Sequence, residues 1–173
     1  MNLQDVVRRR GMVRRFVDRP VEETKLARIL ANARRGPSAG FTQPVELIVV
    51  SSPTVRRRLV EAAWGQAWTG AAPVTLAVCA DTRRSGRRYG ERGVARYSVI
   101  DAAFASMLIL LTAVDEGLGA CFVGAFDDEA VREILGIPPH VLPVGLIPIG
   151  YPAESPPRYH RRPTAEVVHG EQW

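Results

Sequence analysis

Residues 8–16 read RRRGMVRRF, five arginines in nine positions. A guanidinium carries a rigid fork of donors that matches phosphate oxygens two at a time. Three uses compete for such a cluster: a solvated charged face, a nucleic-acid arm, or a pocket for a small phosphate. Arg10 and Arg14 flank Gly11, Met12 and Val13, and by composition alone the stretch reads as a solvated basic turn. A second stretch, Arg34 to Pro44 (RRGPSAGFTQP), has glycines at Gly36 and Gly40 that allow close backbone approach to a ligand, with donors and acceptors on Ser38, Thr42 and Gln43. It reads equally as a helix-to-strand connection, and no Gly-Lys-Ser/Thr follows to make it a Walker loop. The third stretch, Gly117 to Asp127 (GLGACFVGAFD), exposes backbone N–H groups at Gly124 and Ala125 that can bond a flat heteroaromatic ring. It also reads as a tight turn.

The chain around these stretches has 173 residues, 46% hydrophobic and 24% charged, which is one ordinary globular domain able to bury a core. The net charge of +5 comes almost wholly from arginine, because Lys25 is the only lysine. It permits acidic partners without identifying them. Cys79 and Cys121 lie in apolar runs without metal-like spacing and read as buried thiols, so neither a disulfide nor a metal site is expected. No Ser-His-Asp or Cys-His arrangement is legible. His140, His160 and His169 all fall late in the chain, so no side chain is assigned as a general acid or base. The apolar run Ala102 to Val114 is shorter than the roughly 20 residues a bilayer span needs, and no secretory signal opens the chain, so a cytoplasmic protein without membrane attachment is expected.

The elements that must position the three stretches alternate between helical and extended patterns. A short first helix carries Leu3, Val6 and Val7 and ends at Gly11. A second, capped at Asp18 and Pro20, runs to Gly36-Pro37. Strands are expected at Val45 to Val50, Val74 to Ala80, Ala120 to Val123 and Val144 to Ile149, with Pro148 favouring an edge or a bulge in the last. Ser52-Pro53 opens a third helix and Asp127 caps one that reaches Leu135. Ser98 to Glu116 is the longest helix, apolar nearly all round, which marks it as buried and suited to a subunit interface. Asp81 to Tyr97 (DTRRSGRRYGERGVARY) has no clear periodicity and reads as a mobile loop or lid. The tail from Tyr151, with Pro152, Pro156, Pro157 and Pro163, reads as an extended arm.

Taken in this order, the stretches resemble the nitroreductase family, FMN-dependent α+β homodimers. The likeness rests on Arg10 to Phe16, on Pro37 to Pro44, on GLGACFVGAF after the long helix, and on the closing RRPTAEVVHGEQW. It covers nearly the full length as a single FMN-binding domain, 1–173. It implies a mostly antiparallel central sheet flanked by helices, a long helix at the dimer interface and a C-terminal arm that wraps the neighbour. By the same likeness, Arg10 and Arg14 hold the FMN phosphate with Arg161, assisted or replaced by Arg162. Pro37, Ser38, Ala39 and Gly40 lie against the ribityl chain and ring, often across the dimer interface. Gly124 and Ala125 present an N–H near the ring's N5, and Gln66 donates to its pyrimidine edge. Phe41 and Tyr89 bound the acceptor. The implied reaction is a ping-pong hydride transfer from NAD(P)H to a small aromatic, quinone or nitro-type acceptor.

Gly11 and Met12 stand where the family pattern has a basic residue and a serine, and Phe41 where asparagine is frequent, so a weaker hold on FMN is expected. Arg83, Arg84, Arg87 and Arg88 could bind the phosphates of a nicotinamide or of a deazaflavin reductant, or be solvated. A flavin-binding protein without turnover is a further reading. Nucleic-acid binding is disfavoured, because the clusters fall in separate loops, aromatic residues make up only 7% of the chain, and no reader motif is present.

Overall fold

The computed structural model describes residues 1–157 and 159–173. Its centre is β2 (Val74–Asp81), an unbroken apolar run buried on both faces. Side chains alternate across a strand, so Val74, Leu76, Val78 and Ala80 enter one core, where α2 (Glu23–Ala33) and α6 (Ser98–Asp115) supply Ile29, Ala33, Ile109, Leu110 and Ala113. Ala77 and Cys79 enter the other, against Leu59 and Ala62 of α3 (Pro53–Ala62) and Val131 of α7 (Asp128–Leu135). β1 (Val45–Val50) pairs with one edge of β2 and β4 (Val141–Gly150) with the other; the short β3 (Gly119–Ala120) lies outside β4. All three pairings are antiparallel. Both thiols are buried and free, and burial pushes that of Cys79 up to about 12.

Local signals set several boundaries. Ser52 caps α3 with Pro53 in its first turn, and Asp127 accepts from the N–H groups of Glu129 and Ala130 at the start of α7. Gly136, at φ 64°, closes α7 in the left-handed conformation that glycine tolerates best.

Three expectations fail, each for a tertiary reason. The stretch expected as a loop is helix α5 (Thr82–Arg92), capped by Asp81 and continued by a π-turn over Gly93–Tyr97 into α6. Its arginines bond a neighbouring loop, so its order rests on polar contacts that apolar periodicity does not report. Thr82–Asp115 together is long and apolar enough by composition to cross a bilayer, but α6 packs on the sheet and is a core helix. α2 begins at Glu23, because residues before it are drawn away to the chain's end: the Val17 N–H donates to the Tyr151 carbonyl at 2.8 Å. Pro148 is neither at an edge nor at the bulge. β4 is interior, the register shift falls between Val78 and Cys79, and the Pro148 carbonyl accepts from the Cys121 N–H where β3 ends.

The arginine segment and the start of the tail form a ribbon beside β3. Met12 bridges Ala120, Phe16 bridges Pro152, and the Ala153 N–H donates to the Arg15 carbonyl at 2.9 Å. Glu154 accepts from the Arg14 N–H at 3.1 Å and from the Arg15 guanidinium at 3.2 Å. Pro156 then covers Gly11 so closely that a Cβ would collide with its ring. At the other end of the ribbon the Tyr151 hydroxyl donates to the Glu22 carboxylate at 2.6 Å and accepts from Lys25 at 3.0 Å, while Arg19 stacks on the ring at 3.9 Å.

The Tyr151 hydroxyl is the main cause that holds Glu22 at about 2, below its ordinary 4.5. A depressed carboxylate contributes stability above its unfolded value and loses it as the pH falls. Tyr151→Phe therefore lowers the melting temperature at neutral pH, and the gap from wild type closes between pH 4.5 and about 2 in a thermal-melt series. Gly11→Ala forces Pro156 off the ribbon and costs about 1–3 kcal/mol in denaturant unfolding, with faster proteolysis of the tail.

Candidate functional site

The structure sorts the five N-terminal arginines. Arg8 and Arg9 occupy the last turn of α1 (Leu3–Arg9), where the helix dipole favours cations, and Arg15 pairs with Glu154. Among the described residues, Arg10 and Arg14 have no carboxylate partner. Arg10 follows α1 as its C-cap, and Arg14 lies over the Trp68 ring at 5.2 Å. The Trp68 indole N–H is buried without an acceptor among the described residues. Arg14 also sits beside Cys121 and partly offsets the upward push of burial on that thiol.

The same corner gathers three more of the expected residues. Gln66, two positions before Trp68, donates its amide to the carbonyls of Ala63 at 2.9 Å and Ala125 at 2.7 Å. With both amide protons used, its free atom is the carbonyl oxygen, an acceptor and not the expected donor. Gln66 thereby fixes the exposed Gly124-Ala125 turn, whose two N–H groups donate to nothing among the described residues. The Phe122 ring fills the space over Gly145 beneath it. Gly11 and Met12 have packing duties that explain their departure from the family pattern: Gly11 admits Pro156, and the Met12 sulfur accepts from the Phe122 N–H at 3.4 Å.

Pro37, Ser38, Ala39, Gly40, Phe41 and Tyr89 form a second group at the far corner. Ser38 Oγ accepts from the Gln43 N–H at 2.8 Å, the Ala39 N–H donates to Asp101, and Gly40 lies under Tyr89 and Arg88 with no room for a Cβ. Phe41 is 79% exposed beside a cleft of about 250 Å³ whose lining includes Pro37, Ser38, Gln43, Arg84 and Asp101. This loop enters β1 at Val45, opposite Ala80, whereas Met12 joins the sheet at Ala120, level with Ile149 and Val74. Met12 and Val45 are about 20 Å apart along β2 and four strand spacings, roughly 19 Å, across the strands. Val123, which leads into the Gly124-Ala125 turn, lies opposite Leu146 and Ala77, about 10 Å along β2 from Ala80 and roughly 14 Å across. The two groups do not converge within one protomer.

Arg162 bonds Glu166 locally, at 3.2 Å to its carboxylate and 2.8 Å to its carbonyl, and Arg161 is exposed without an ion pair among the described residues. Pro156 nevertheless lies against Gly11, and the five residues on to Arg161 reach at most about 18 Å, so the tail can return that arginine to Arg10. Sequence reasoning passed over Trp68 and Asp101. Asp101 did carry a signal, an acid inside an apolar helix that is only 3% exposed in the fold. Trp68 carried none, because its link to Arg14 is purely tertiary.

The donor set of the first corner suits a mononucleotide with a flat ring: unpaired guanidiniums for a dianion, free backbone N–H groups for a ring edge, and an aromatic wall. The nitroreductase family model matches residues 7–71 and 63–151. An NADH dehydrogenase of Thermus thermophilus is 37% identical, over 92% of this chain and 91% of its own. The oxygen-insensitive NADPH nitroreductase of Salmonella typhimurium is 31% identical over 93% of this chain and 70% of its own. A nitroreductase family protein from Clostridium novyi superposes with a TM-score of 0.82 at 29% identity, over 90% of this chain and 87% of that one. The four-stranded antiparallel sheet with its long packed helix is the family's α+β fold, and the chain belongs to the nitroreductase family of FMN- and NAD(P)H-linked oxidoreductases.

Proposed function

We propose that this chain is a cytoplasmic homodimer, each protomer a single domain, that binds FMN, takes reducing equivalents from NAD(P)H and reduces a small aromatic, quinone or nitro-type acceptor. The observation that carries this reading is the pair Arg10 and Arg14, without carboxylate partners among the described residues, on the segment that adds to β3 ahead of the Gly124-Ala125 turn, whose N–H groups donate to nothing among the described residues. FMN, when bound, supplies hydride acceptance and donation between the two substrates. The residues of this chain do the rest. Arg10 and Arg14, joined by Arg161 from the tail, neutralise the phosphate through charge-assisted hydrogen bonds. Gly124 and Ala125 offer N–H donors to the ring, held in place by Gln66, whose free oxygen can accept from a ring N–H. Trp68 lies under the exposed Arg14 guanidinium and limits the directions it can take.

The separation of the two groups within one protomer supports a dimeric site, in which Ser38, Ala39, Gly40 and Phe41 reach the flavin of the neighbouring protomer. α6 offers the surface for such pairing: Ile100, Phe104 and Met107, at i, i+4 and i+7, are 44%, 44% and 48% exposed although apolar. Two copies using the same stripe would bury it symmetrically.

An absorbance spectrum of the purified protein, with FMN added in a parallel sample, tests the reading. Flavin bands that bleach on anaerobic addition of NAD(P)H are expected; bands that persist with NAD(P)H and bleach with a reduced deazaflavin transfer the reductant role to that compound, and no binding of supplied FMN refutes the proposal. Arg14→Ala should raise the FMN Kd roughly tenfold or more in a fluorescence titration. Phe104→Asp should convert the dimer to monomer in size-exclusion light scattering, with loss of flavin; an unchanged dimer would place the interface elsewhere.

A further inference from the structure

The Ser38–Gln43 loop is strained in a way its own packing does not offset. Gly40, Phe41 and Gln43 all have φ near +50°, at 53°, 57° and 49°, and two of them carry side chains that disfavour it. Phe41 gains no burial in return, since its ring stands in solvent. The loop is held by polar groups from two helices instead. Asp101, in the first turn of α6, places its carboxylate oxygens 3.3 Å and 3.1 Å from the Ala39 nitrogen, which donates to it. Arg88 donates to the Gly40 carbonyl at 3.1 Å and Arg84 to the Thr42 carbonyl at 2.8 Å. Ser85 and Thr42 join their hydroxyls at 3.2 Å. Positions 84, 85 and 88 share one face of α5. The bend at Gly90 (φ 56°, ψ −143°), with Arg92 donating to the Tyr97 hydroxyl at 2.7 Å and Tyr89 edge-on to Tyr97 at 5.0 Å, folds α5 back beside α6 so that both reach the same loop.

We infer that Asp101, Arg84 and Arg88 are positioning residues, a clamp that fixes the strained 38–43 loop in the shape that presents Ser38 to Phe41 to the neighbouring protomer's flavin and acceptor. Strain held by surrounding contacts at an exposed aromatic is the arrangement of a pre-organised binding loop. Each of these two exposed arginines gives one donor to a carbonyl of the loop. The inference rests on the flavin reading proposed above.

The test compares wild type with Arg84→Met/Arg88→Met, Arg84→Lys/Arg88→Lys, Asp101→Ala and Asp101→Asn. FMN Kd, KM for NADPH, KM for p-benzoquinone and melting temperature are read for each. The double methionine variant should raise the FMN Kd and the quinone KM roughly tenfold and leave the NADPH KM unchanged. Lysine, still a donor, should recover most of the loss. Asp101→Asn, whose amide oxygen still accepts from Ala39, should stay near wild type where Asp101→Ala does not. Wild-type FMN Kd and quinone KM in the double methionine variant, with only the melting temperature lowered, would reduce the clamp to a structural staple and overturn the inference. A raised NADPH KM with unchanged FMN Kd would make the arginines a nucleotide site and overturn it as well. Wild type that binds no FMN removes the flavin reading itself, a failure visible before any variant is compared. If Asp101→Ala does not fold, the arginine variants, on the surface of α5, decide the matter.

Discussion

β2 pairs along its full length with β4 on one side and over most of it with β1 on the other, with both of its faces buried, and almost every other feature is placed by that arrangement. A strand covered on both faces cannot slip by one residue without exchanging its two cores, so its register is held strongly. The fixed register puts the β1 entrance and the β3 edge at opposite corners. The arginine segment can add to the sheet only beside β3, and the Ser38–Gln43 loop can enter only at β1. The division of the candidate site into two halves follows from sheet geometry, before any ligand is considered.

Each half is stabilised by its own logic. At the β3 corner the chain's two ends are woven together: Tyr151 sits among Arg19, Glu22 and Lys25, Glu154 ties Arg14 and Arg15, and Pro156 lies on Gly11. Those contacts absorb Arg15 and leave Arg10 and Arg14 without an ion pair among the described residues, which is what an anion site needs. At the β1 corner a backbone in an unfavourable conformation is held by a buried carboxylate and two guanidiniums. The exposed apolar stripe of α6 begins beside this second corner, since Asp101 and Ile100 are neighbours on the same helix. A dimer through that stripe would bring strained loop and interface together.

Departures from the family pattern also acquire a physical meaning. Gly11 and Met12 exchange side-chain donors for packing: one makes room for a proline of the tail, the other seats its sulfur on a backbone N–H that holds Phe122.

Much of the fold was legible in the sequence, because the signals were local. Val74 to Ala80 is a buried strand by composition, Ser52-Pro53 and Asp127 carry their own caps, and the apolar length of α6 requires burial. The candidate residues were nominated by type and spacing, as arginine pairs and small-residue turns, and their roles came from the likeness to a family taken over several stretches in order. Tertiary structure alone decided which arginines are free, that Gln66 spends its donors on Ala63 and Ala125, and that Arg84 and Arg88 serve a loop over 40 residues away. It also made Thr82 to Arg92 a helix, because the order of that segment comes from hydrogen bonds to distant carbonyls, and a pattern of neighbouring residues contains no record of partners that only folding brings within reach.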